Sequence, residues 1–306
     1  MVKNQIVATL RKPSVQLKFL LITLLFIPAL IEQSENLTTF TNELRCEGQV
    51  TVAVMLLHTF NYLYFYVDIF IVGFILLIPD IIRDEYIEKQ LIMQNCTRKK
   101  AAVTGLIRII CFCLIYVMWF VVLTVIIAGL WFHNFSLEWP YFIEKMQRQI
   151  PTQGGAGLYM MLVMLPRNCL DYPVPIAVFL VLLRSTLGFI FLGMLASLSA
   201  LLTKKIKTGV GIVIFLLVAA LFLYYDFDGG FLRYFDGSAP LLNARVTIDL
   251  IKWTIVPFFT FRSMTDNFTD WIQYGIFMGL ALCLITGAGI WCYYQKGDLG
   301  DADQDE

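Results

Sequence analysis

Residues 175–202 read PIAVFLVLLRSTLGFIFLGMLASLSALL, 28 residues with a single charge, Arg184. A helix needs about 20 mostly apolar residues to cross a bilayer, and this stretch exceeds that without a break. Five more stretches qualify: Val15–Ile31, Phe60–Ile82, Ile109–Phe132, Thr208–Tyr224 and Ile272–Tyr294. In the first, Lys18 has to snorkel toward water and Pro28 stands near the far end. No small-residue cleavage site follows Pro28, so this stretch is read as a span rather than a signal peptide. The pattern predicts an all-α polytopic membrane protein with six transmembrane helices.

Composition agrees. Of 306 residues, 58% are apolar and only 15% charged, where soluble domains carry about 25% charged residues. A soluble fold of this size could not bury that much apolar surface. The 23 basic and 23 acidic residues cancel, leaving no basic excess of the kind nucleic acid attracts.

The basic residues set the orientation. Segments 1–18, 83–108, 203–207 and 295–306 hold 14 lysines and arginines in 61 residues, whereas segments 32–59, 133–174 and 225–271 hold 8 in 117. By the positive-inside rule the first group, with both termini, is cytoplasmic. The other loops contain two apolar stretches too short or too charged to span comfortably, 156–165 and 246–261. Both are read as extracellular re-entrant helices, the second within a region 225–271; eight spans is the alternative. Residues 298–306 are an acidic tail.

Catalytic and metal signatures are missing. Two histidines, His58 and His133, exclude an H-E-x-x-H zinc site. No phosphate-binding loop and no G-x-S-x-G elbow occurs. Asp226, Asp228 and Asp236 do not fit a calcium loop and read as a solvated turn. No metal site, no cofactor held by this chain and no enzyme activity is expected. Of seven cysteines, only Cys46 and Cys169 fall in segments placed outside, which allows at most one disulfide.

Two ionisable residues lie deep in the spans, Asp68 and Arg184, roughly 12–14 Å from the outer face at the helical rise. Charges at such depth are costly and pair or face water. An intramembrane ion pair between the second and fourth spans is therefore expected, either as a structural staple or as part of a substrate path.

Two further elements face the cytoplasm. Residues 83–98 place acidic Asp84, Glu85 and Glu88 early and Arg98 late, which suits a helix dipole, with Ile87 and Leu91 one turn apart. This predicts a short amphipathic helix that a soluble partner could grip; a solvated linker that only fixes topology is the alternative. Within residues 1–14, Ile6, Val7 and Leu10 cluster beside Lys3 and Arg11 before Pro13, which predicts an interfacial helix or an orientation signal.

This layout resembles the permease subunit of type-2 ABC exporters: an N-terminal surface helix, six spans, a helix after the second span and extracellular helices between the fifth and sixth. The family's loop runs from a glutamate through Gly-Thr and a leucine-rich turn to a proline and an arginine. Here Glu85 matches the acid, Leu91 and Ile92 the apolar turn and Arg98 the basic residue, while Lys89 stands at the glycine position and the proline is missing.

The resemblance implies a separate ABC ATPase subunit, bringing ATP and magnesium, docked on the N-terminal helix and on residues 83–98. Tyr86, Ile87 and Leu91 would fill its groove, with Glu85 and Arg98 in charged contacts. It also implies a second permease chain, a homodimer in preference to a heterodimer, in a bacterial plasma membrane. The cargo would be an amphipathic or hydrophobic peptide or lipid. A stand-alone ion-coupled transporter or channel, or a non-transporting immunity or assembly factor, are the other readings.

Overall fold

A computed structural model describes residues 2–43, 50–61, 69–82, 98–143, 169–227 and 268–296. Among these the regular structure is helical. The helices are α1 Val2–Leu10, α2 Pro13–Glu43, α3 Val52–Thr59, α4 Ile69–Ile82, α5 Arg98–Phe132, α6 Val174–Thr203, α7 Ile206–Phe227 and α8 Phe268–Lys296. Four of them, α2, α5, α6 and α8, are long and apolar enough to cross a membrane, and α4 and α7 are shorter apolar helices.

Contacts fix how the helices run. Phe26 meets Phe70 while Lys18 meets Asp80, so α2 and α4 are antiparallel. Phe19 packs on Phe112, and Trp131 donates to Thr38, so α2 and α5 run the same way. Phe189 of α6 sits against Tyr116 and Gly193 against Ile109, the reverse sense to α5. In α8, Cys283 lies at Leu187 and Gly289 at Leu198, so α8 runs with α6. The starts of α2 and α5 and the ends of α4, α6 and α8 therefore gather at one end of the bundle, where α1 also packs against α5.

Helix α6 is the central element, packed by α3, α5, α7 and α8. Small residues allow the closest approach: a Cβ on Gly209 of α7 would stand 2.3 Å from the Ala196 carbonyl oxygen and 3.1 Å from Ala200. This is the small-residue contact that lets helices pack without a hydrophobic driving force in lipid. The outer faces are apolar. Leu17, Leu20, Leu21, Leu24 and Leu25 of α2 and Leu114, Met118, Val122, Ile126 and Leu130 of α5 are exposed at helical spacing. Patches of that size are not tolerated in water but suit lipid.

Helix ends differ from the hydropathy reading. Helix α2 continues past Ile31 to Glu43, because Pro28 removes one ladder bond without stopping the helix. The Ser34 and Thr38 hydroxyls donate back to the Leu30 and Ser34 carbonyls at 2.8 Å. Helix α5 begins at Arg98 rather than Ile109, and α8 at Phe268 rather than Ile272. Hydropathy marks where apolar sequence stops, whereas the helix runs on into polar sequence. The loop expected over residues 32–59 instead holds the end of α2 and all of α3, every residue of which is buried.

The stretch Phe60–Ile82, expected as one span, is described at its two ends, 60–61 and 69–82. Helix α3 ends where that span should begin, with Phe60 as its cap at φ −90° and ψ 9°. Asn61 follows in a turn, and on the far side of residues 62–68, which lie outside the described residues, Ile69–Ile71 form a π-helical turn that leads into the rest of α4. The regions 156–165, 228–267 and 298–306 lie outside the described residues.

Candidate functional site

The end of α3 is held by a cation. Arg184, fully buried about 15 Å along α6 from its first residue, Val174, donates from Nη2 to Asn61 Oδ1 at 3.0 Å and to the Phe60 carbonyl at 3.4 Å. The last carbonyls of a helix lack intrahelical partners and carry the negative end of the dipole. A guanidinium there satisfies them and gains a partial counter-charge at a depth where an isolated arginine is costly. Nearby, His58 shares a hydrogen bond with Gln33 of α2 at 3.2 Å, and Val52 N–H donates to the Asn134 carbonyl at 2.9 Å, so both ends of α3 are tied to other elements.

Aromatic packing carries the chain from α3 to α4. Phe60 stacks on Phe70 with centroids 5.3 Å apart, and Phe70 packs on Phe26 and Phe120. The Tyr116 hydroxyl donates to the Phe70 carbonyl at 2.6 Å, a carbonyl in the π-helical turn, a type of irregularity frequent at functional sites. Gly73 makes room: a Cβ there would lie 2.8 Å from the Tyr116 hydroxyl and 3.0 Å from Ile22.

The arginine–carbonyl contact recurs twice. Arg108 of α5, buried to 4% exposure, donates to the Ile81 carbonyl of α4 at 3.0 Å. Arg98 donates to the Gln295 carbonyl in the last turn of α8 at 3.4 Å. Beside Arg108, Lys18 of α2 pairs with Asp80 of α4. The charge that the hydropathy reading left to snorkel thus has a carboxylate beside it.

Of the residues singled out in the sequence, Arg184 is placed at the α3 end, and Asp68 lies outside the described residues, as do Glu85, Tyr86, Ile87 and Leu91. Arg98 is the first residue of α5, on an exposed surface. The sequence reading missed Arg108, Asp80, Asn61 and Tyr116. Arg108 stood at an edge expected to be cytoplasmic, where a basic residue reads as a topology signal; a lone Asn after an apolar helix, in Phe60-Asn61, was the one available sign of the end of α3. Among the described residues no three His, Cys, Asp or Glu side chains gather as a metal set.

No protein-family model, no curated protein and no solved structure matches this chain. The class defined by the fold is that of an all-helical, multi-pass membrane protein, with four helices of spanning length and apolar outer faces.

Proposed function

We propose that the chain is the permease subunit of an ATP-driven ABC exporter for an amphipathic or hydrophobic peptide or lipid. It works with a separate ATPase subunit and a second permease chain in a bacterial plasma membrane. In this reading α2, the α3–α4 unit, α5, α6, α7 and α8 make six passes, and both termini are cytoplasmic.

The observation that carries the reading is the gathering of cytoplasmic elements at one end. Surface helix α1 packs against α5, whose first residue, Arg98, immediately follows residues 83–97. Asp80 and Ile81, just before that segment, meet the start of α2 and the first third of α5. Helix α1 and both flanks of residues 83–97 are thus neighbours, as an ATPase gripping the two together requires.

A second reading has its own observation. The end of α3 after Thr59, with the buried Arg184 on the Phe60 carbonyl, is the kind of helix terminus inside a bundle that builds binding sites in gradient-driven transporters. Inside-out vesicles offered a fluorescent lipid and a fluorescent amphipathic peptide separate the readings. Uptake driven by MgATP supports the exporter, uptake driven by an ion gradient supports the second reading, and uptake driven by neither removes transport from both.

A further inference from the structure

Two consecutive residues of α4, Asp80 and Ile81, are each held by a cation from a different helix. Lys18 of α2 pairs with Asp80 through its side chain, and Arg108 of α5 donates to the backbone oxygen of Ile81 at 3.0 Å. Ile81 and Ile82 are themselves buried, 3% and 1% exposed, so the turn is packed as well as tied. One anchor would let the turn pivot; two, from helices on either side, fix it against rotation and sliding together.

At residue 98, the far flank of residues 83–97, Arg98 ties the start of α5 to the end of α8 at Gln295.

We infer that Lys18 and Arg108 are positioning residues that clamp Asp80 and Ile81 of α4 to α2 and α5, so that a push on the chain beyond Ile82 moves these helices as one unit. The inference rests on the exporter reading and deepens it: the clamp is the route by which an ATPase docked after Ile82 reaches the spans. Packing alone would hold α4 in place; the paired charges make the connection stiff in the direction of the load.

The test uses the permease purified from native membranes with whatever ATPase accompanies it, reconstituted in lipid with MgATP as the only added ligand. Lys18 and Asp80 are half-buried, so their neutralisation leaves the apolar core in place. Asp80→Asn and Lys18→Gln should each retain the ATPase at wild-type stoichiometry yet lower MgATP turnover roughly tenfold, the size of an ordinary coupling free energy. The charge-exchanged pair Lys18→Asp with Asp80→Lys should recover turnover to within about twofold of wild type. Arg108→Gln should also bind the ATPase and turn over slowly, and its size-exclusion profile reports whether it is folded. Single variants that bind the ATPase and turn over at the wild-type rate overturn the clamp, as does an exchanged pair no better than the singles. A wild-type permease that carries no ATPase overturns the exporter reading instead, and the coupling role with it.

Discussion

Arg184 Nη2 lies 3.0 Å from Asn61 Oδ1, a contact between the central helix and the turn residue that follows α3 and its cap, Phe60. It joins the two features of the chain that a bilayer tolerates least, a buried guanidinium and backbone released from a helix. Each is the other's remedy.

Removing the guanidinium therefore exposes both defects. Arg184→Gln should lower stability by about 2 kcal/mol, the range for hydrogen bonds to charged groups, seen as a drop in thermal unfolding temperature in detergent. If the proposed ion pair with Asp68 also exists, adding Asp68→Asn should restore part of that loss. An unfolding temperature unchanged by Arg184→Gln would mean that the contact holds nothing.

Gly73 and Tyr116 should behave as a coupled pair. Tyr116→Phe removes one hydroxyl from the Phe70 carbonyl and should cost about 1 kcal/mol. Gly73→Ala pushes a methyl group to 2.8 Å from that hydroxyl and should cost about 1–3 kcal/mol by overpacking. With the oxygen already gone the methyl group keeps only its contacts with Ile22, so the double variant should be less destabilised than the sum of the singles. Strict additivity in unfolding measurements would contradict the geometry.

The α6–α7 contact gives a matched comparison within one helix. A Cβ at Gly209 meets backbone, the Ala196 oxygen, at 2.3 Å, whereas a Cβ at Gly211 meets nothing within 4 Å. Gly209→Ala should force the helices apart at a cost of about 1–3 kcal/mol, while Gly211→Ala should be neutral or stabilising by about 0.5–1 kcal/mol. Expression level and unfolding temperature of the two variants read this directly; equal effects would refute the packing.

Single-cysteine versions report burial and side. Cys113 is buried and Cys292 exposed, so a membrane-permeant maleimide should label Cys292 and spare Cys113. In the proposed topology Cys292, near the end of α8, faces the cytoplasm. An impermeant maleimide should then reach it only after permeabilisation, and labelling in intact cells would reverse the orientation.

How far the sequence reveals this molecule depends on which force sets each feature. Burial in lipid is a property of composition, so the apolar stretches of α2, α5, α6 and α8 were legible from residue types alone. Helix ends were not: α2 passes Ile31 because nothing between Ala29 and Glu43 breaks a helix, and hydropathy is silent on that. The end of α3 at Thr59 is followed by Phe60 and Asn61 in a turn, with neither glycine nor proline there to mark it. Lys18 with Asp80 and Arg108 with Ile81 are contacts across 62 and 27 residues, and a single sequence carries no record of such pairs. Arg184 was singled out because a charge inside an apolar stretch is conspicuous by itself; its partners Asn61 and Phe60 were not.

The central claim is that a soluble ATPase works through this chain, and gentle purification of the tagged protein from native membranes, with mass spectrometry of what co-elutes, tests it most directly. The account predicts a stoichiometric ATPase that is lost when Ile87 and Leu91 are both changed to Asp while the permease stays folded. A permease that elutes alone, or an ATPase retained unchanged by that double substitution, would contradict it.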